Sequence, residues 1–135
     1  MTAVTTPVLS DSTDSLLRFA LRADAVTTGV IGLAGVFAAR PMAALTGLSA
    51  VQEYAVAAFC LLYGVAVYFL SALPELRRAG IGVLAANVVC TVAAIAVVET
   101  GVLPLTGFGV AALLASAVYT ASFALAQYRG LRRLR

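Results

Sequence analysis

The chain has 135 residues, 62% hydrophobic and 11% charged, with nine basic side chains against six acidic ones. A soluble domain is about half apolar and about a quarter charged, and a chain this short has too much surface to hide such an excess; a mean hydropathy of +1.03 points to lipid as the solvent. There is no His and no Lys, which excludes Ser-His-Asp triads, His-ligated zinc or haem, Schiff-base lysines and P-loops, so no cofactor or metal is expected.

Residues 1–14, rich in Ser and Thr with Asp11 and Asp14, show no periodicity and read as a mobile tail. The first span is predicted over 18–40: Phe19 to Ala39 gives 21 residues once Arg22 and Asp24 are accepted in the opening turns, close to the ~20 a membrane crossing needs. The charges ahead of Arg18 are acidic and the apolar run starts late, unlike a signal peptide, so this span is expected to be retained. Arg40-Pro41 is expected to end it, because the residue before a proline is pushed out of the helical region.

The second span, 50–73, rests on a charge-free stretch of 21 residues from Tyr54 to Pro74, opened by a Ser49-x-x-Gln52 capping box. The third, 76–99, rests on 20 uncharged residues from Ala79 to Val98, with Pro74 and Glu75 suited to its first turn. The short link predicts that helices 2 and 3 form a tight antiparallel hairpin. Thr100 to Tyr128 is uncharged for 29 residues, and Gly101, Pro104, Gly107 and Gly109 place a loop before a fourth span at 105–127. Residues 129–135 read as a basic cytoplasmic tail. The fold class is all-α, a membrane-spanning four-helix bundle over residues 15–128.

Arginine placement sets the orientation. With a cytoplasmic N-terminus, Arg18, Arg22, Arg77, Arg78, Arg129, Arg132, Arg133 and Arg135 all lie inside and only Arg40 lies outside. Both termini are therefore expected in the cytoplasm. The arginines flank spans, so a pI near 9.2 signals anionic lipid headgroups and no nucleic acid.

Within lipid, small residues let helices approach closely. Candidate stripes are Thr28, Gly32 and Gly35 with Ala25 and Gly29 on helix 1, Ala57, Cys60 and Gly64 on helix 2, Gly82, Ala86, Cys90 and Ala94 on helix 3, and Ala112, Ser116, Thr120 and Ala124 on helix 4. Cys60 and Cys90 fall at similar depth and read as small apolar filler; no C-x-x-C is present to suggest a redox pair.

Polar side chains at membrane depth are costly and mark either structure or function. Asp24 is expected to point inward with Thr28 one turn deeper, in a polar cluster with Arg22, Arg77, Arg78, Gln127 and Tyr128. Asp14, Arg18 and Arg22 are spaced as an i,i+4 ladder. Asn87, with Thr91 one turn on, needs an interhelical partner near mid-membrane, and Ser116 and Thr120 are the polar positions of helix 4. Arg40 is placed to satisfy Glu53 or Glu99 at the outer boundary. Tyr54, Phe108 and Tyr128 read as interfacial anchors, whereas the deeper hydroxyls of Tyr63 and Tyr119 need partners.

The run Leu21-Arg22-x-Asp24-Ala25-x-x-Thr28-Gly29 resembles one found in small, uncharacterised four-helix bacterial integral membrane proteins, and the likeness continues loosely through Pro41, Gly47-Leu48, Tyr63, Asn87 and Gln127. The resemblance implies a four-span protein of the bacterial inner membrane and carries no catalytic or binding role. The functional expectation is a non-enzymatic accessory, scaffold or self-associating bundle, with the lipid bilayer and either further copies or a larger membrane complex as partners. The alternative is a small oligomeric transporter or channel using Asp24 and Asn87.

Overall fold

The computed structural model describes residues 13–134. All but two residues of the predicted N-terminal tail, together with Arg135, lie outside the described residues; Thr13 and Asp14 form a turn leading into the first helix. Four helices follow, α1 Ser15–Thr46, α2 Ala50–Ser71, α3 Arg77–Thr100 and α4 Gly107–Arg132, with no strand among the described residues. Each is long and apolar enough to cross a membrane.

The chain is arranged inside out. Phe37 is 83% exposed, and Phe19, Val51, Leu62 and Phe69 also face outward, while Asp24 and Gln127 are 0% exposed. In water such a surface would be an aggregation site. In hydrocarbon it is the solvated face, and the interior is where polar groups find partners.

Two helix boundaries depart from the expected ones. Pro41 lies inside α1, which runs on to Thr46 and ends on Gly47 in the left-handed region at φ 87°. The last turn is held from outside: the Thr46 hydroxyl donates to Glu53 Oε1 at 2.5 Å, Thr106 N–H donates to Thr46 O at 2.9 Å, and the Thr106 hydroxyl donates to Leu45 O. These contacts outweigh one backbone bond lost at proline, and Glu53, one of the two carboxylates Arg40 was placed to satisfy, is bonded by Thr46. At the other boundary, α3 begins at Arg77, leaving Pro74 and Glu75 in the link instead of in a first turn. The Ser49–Gln52 capping box is present in both directions, and Thr106 caps α4 by accepting from Gly109 N–H at 3.0 Å.

Helix pairing also differs from the hairpin expectation. α1 packs along α2 and along α4, and α3 packs on α4, whereas α2 and α3 barely meet. Small residues explain the α1–α2 pair. A Cβ added to Gly64 would lie 2.6 Å from Ala25 O and from Gly29 Cα, and one on Gly32 would lie 2.8 Å from Ala57 O, so only glycine allows this approach. Gly35 meets Ala57 in the same seam. Having spent its small-residue face on α1, α2 has none left for α3.

On α3 the buried positions are Gly80, Val83, Asn87 and Ala94. Of the predicted stripe only Ala94 is buried; Gly82 faces open space, and Ala86 and Cys90 are half-buried. The helix is rotated because Asn87 must face polar partners, which turns Gly82 and Ala86 toward α2. On α4 the close approaches are Gly109 against Thr46 and Gly130 against the Leu17 backbone, with Ala117, Ala124 and Gln127 buried between them. The predicted basic tail is thus mostly helix: α4 ends at Arg132, Gly130 is buried, and Leu131 and Leu134 pack on a core of Leu17, Leu21, Ala25, Val67, Leu76 and Val83.

The helix ends carry unequal charge. Arg18, Arg22, Arg77, Arg78, Arg129, Arg132 and Arg133 gather at the end where α1 starts, α2 meets α3 and α4 stops. Arg18 ties that end together, donating to Ser71 O at 2.5 Å, Leu73 O at 3.1 Å and Asp14 Oδ2 at 2.8 Å. The Asp14–Arg18 step of the predicted ladder is therefore present, while Arg22 is exposed.

Candidate functional site

Asp24 sits nine residues into α1, about 13.5 Å along the axis at ~1.5 Å per residue. Asn87 sits ten residues into α3, about 15 Å along, and Tyr63 eight residues from the end of α2, about 12 Å. The three rows therefore meet at one depth.

All four helices deliver a donor to the Asp24 carboxylate. Oδ1 accepts from the Thr28 hydroxyl at 3.0 Å, one turn along α1. Oδ2 accepts from Tyr63 Oη of α2, Asn87 Nδ2 of α3 and Gln127 Nε2 of α4, each at 2.8 Å. The donors are cross-linked: Asn87 Nδ2 also lies 3.1 Å from Tyr63 Oη and from Gln127 Oε1, and the Thr28 and Tyr119 hydroxyls pair at 2.7 Å. A carboxylate with two oxygens can accept about four bonds, and Asp24 has them. No buried side-chain N or O among the described residues lacks a partner.

Membership of the cluster differs from the expectation in one systematic way. Asp24, Thr28 and Gln127 belong to it as expected, and Asn87, expected separately at mid-membrane, joins them directly. Arg22, Arg77 and Arg78 do not: all three are exposed, because α3 begins at Arg77 and its arginines stay at the bundle's end. Tyr128 is likewise outside, exposed beneath the Arg132 guanidinium at 5.9 Å. Tyr63 is the member sequence reasoning left unassigned. Counting residues from each helix end, instead of from the nearest charge, would have placed it beside Asp24.

Beyond this layer, Thr91 and Thr120 pair across α3 and α4 at 2.6 Å while Thr91 also donates to Asn87 O at 2.9 Å. Ser116 is turned back onto Leu113 O at 2.7 Å. A cleft of about 410 Å³ opens here between α2 and the α3–α4 pair, with Thr28, Tyr63, Asn87 and Tyr119 on its floor and Phe59, Cys60, Cys90, Ser116 and Thr120 around it. Both cysteines are free thiols on this one cleft. A second, wider opening of about 770 Å³ separates α2 from α3 toward the arginine end, lined by Val67, Leu70, Ala79, Gly82 and Ala86 with Arg78 at its edge. The Tyr63–Asn87 contact stands between the two.

Comparison with protein families, curated proteins and solved structures finds no match, so the geometry alone carries the functional reading.

Proposed function

We propose that this chain is a non-enzymatic accessory, scaffold or self-associating bundle of the bacterial inner membrane, working by lateral contact with further helices. The observation that carries the reading is the α2–α3 opening. Three helix pairs close on one another, but this one is left apart, with Ala79, Gly82 and Ala86 facing the gap and nothing within 4 Å of the place a Gly82 side chain would take. Small residues open to lipid are what a second helix needs for close approach. Either a second copy or a subunit of a larger complex supplies that helix. The Asp24 layer fits this role as the bolt that keeps the bundle rigid.

Native mass spectrometry of the protein in lipid nanodiscs tests it. The native chain is expected as an oligomer or with a stoichiometric partner, and Gly82→Leu as a folded monomer. A native chain that stays single, or a variant that associates as before, refutes the reading.

The arginine asymmetry supports an orientation with both termini in the cytoplasm. Alkaline phosphatase fused after Leu48 or Leu103 should be active and after Pro74 inactive; the reverse overturns it.

A second reading, an oligomeric transporter or channel, is favoured by the direct bond between Asp24 and Asn87 beside an open cleft. It predicts that Asp24→Asn abolishes proton-coupled flux in liposomes without unfolding the bundle; unchanged flux removes it.

A further inference from the structure

The cleft over the Asp24 layer has an electrostatic character that no packing role requires. Its floor residues Thr28, Tyr63 and Asn87 each donate to the Asp24 carboxylate, so the carboxylate lies directly behind the floor. Every donor to Asp24 is a neutral hydroxyl or amide, and the arginine nearest in sequence, Arg22, is exposed two positions along α1, on nearly the opposite side of the helix. No charged side chain lines the cleft.

The polar groups of the cleft also face the wrong way to receive an anion or a carbonyl. The Thr28 and Tyr63 protons and one of Asn87 are committed to Asp24, the other Asn87 proton is shared by Gln127 and Tyr63, and Tyr119 is paired with Thr28; Thr91 and Ser116 donate to backbone oxygens, and Thr120 is bonded to Thr91 and to backbone oxygens of its own helix. What remains toward the cleft is oxygen lone pairs, the weakly donating thiols of Cys60 and Cys90, and the rings of Phe59, Tyr63 and Tyr119. Aromatic faces and lone pairs attract positive charge, and a carboxylate behind them adds to it. The surrounding wall of Ile31, Val56 and Ala115 is apolar.

We propose that this cleft binds an organic cation with an apolar body, its charge delocalised or shielded enough to reach membrane depth. A charge resting on the floor lies about 6 Å from the carboxylate, two hydrogen-bond lengths. At an effective dielectric of about 20 that attraction corresponds to roughly a hundredfold in affinity. The site is distinct from the α2–α3 opening used for association, and it requires binding alone, so it stands whether or not the bundle transports anything.

The test uses the full chain in detergent and two probes of equal shape and opposite charge, tetraphenylphosphonium and tetraphenylborate, titrated by calorimetry. The cation gains about a hundredfold and the anion loses as much, so the cation is expected to bind about ten-thousandfold more tightly than the anion. Asp24→Asn should remove most of that preference. Ala115→Phe, which fills the cleft and replaces no member of the Asp24 layer, should abolish cation binding while leaving the unfolding midpoint unchanged. Equal affinity for the two probes, no binding of the cation, or undiminished binding by Ala115→Phe each overturns the proposal. Should Asp24→Asn fail to fold, the probe pair and Ala115→Phe decide it.

Discussion

Replacing Asp24 separates the need for an acceptor from the need for a charge. In Asp24→Asn, the amide oxygen can take the Oδ2 position and keep the Tyr63, Asn87 and Gln127 donors, while the amide nitrogen faces Thr28. The Thr28 hydroxyl can then accept from that nitrogen and donate to Tyr119 Oη, which already lies 2.7 Å away. Every bond survives with its charge assistance removed, and the cost of burying an ion disappears as well. The expected net loss is about 1 kcal/mol or less. Asp24→Leu leaves four donors without their shared acceptor. At 1–3 kcal/mol for each orphaned buried group the loss would be severe, but Asn87 can fall back on Gln127 and Tyr63, and Thr28 on Tyr119. Interhelical bonds in membranes are also worth less than this, about 0.6 kcal/mol each and at most ~1.7. About 2–4 kcal/mol is therefore expected for Asp24→Leu. Unfolding of both variants in mixed micelles with increasing dodecyl sulfate measures the difference. Equal losses for the two variants, or none for Asp24→Leu, would mean that the shared acceptor does not hold the layer together.

Gly64→Leu should cost about 3 kcal/mol or more, or prevent folding, because its side chain would enter the α1 backbone at Ala25 and Gly29; Gly82→Leu, facing open space, should leave the midpoint within about 0.5 kcal/mol when both chains are measured diluted to monomers, where association adds nothing. Comparable losses for the two glycines would mean that the helix pairing is wrong. Arg18→Ala removes the donor to Ser71 O and Leu73 O and is expected to cost about 1–2 kcal/mol. Raising salt should change this little, since the backbone carbonyls carry more of the contact than the half-exposed Asp14 pair; a loss reproduced by high salt in the native chain would contradict that assignment.

The spans were legible because lipid imposes a simple rule: stretches free of charge from Tyr54, Ala79 and Thr100 onward, punctuated by the Ser49–Gln52 box, mark three helices outright. The end of α1 was not, because Pro41 obeys a local preference that Thr46 overrides through contacts with Glu53 and Thr106, 7 and 60 residues away. Pairing was not legible either. Every helix carries small residues, and nothing local says that Gly64 meets Gly29 while Gly82 meets nothing. For the site, the inward turn of Asp24 and its partnership with Thr28 and Gln127 could be read from spacing. Its partnership with Asn87 and Tyr63 depends on the register between separate helices, which charge boundaries misjudged by assigning Arg77 and Arg78 to the same depth.

Asp24 joins helices distant in sequence through one shared layer. A double-mutant cycle between Asp24→Leu and Gln127→Leu, residues 103 apart and bonded at 2.8 Å, tests it most directly. A coupling of about 1 kcal/mol is expected in the same micelle unfolding assay. Additive losses, with no coupling, would contradict it.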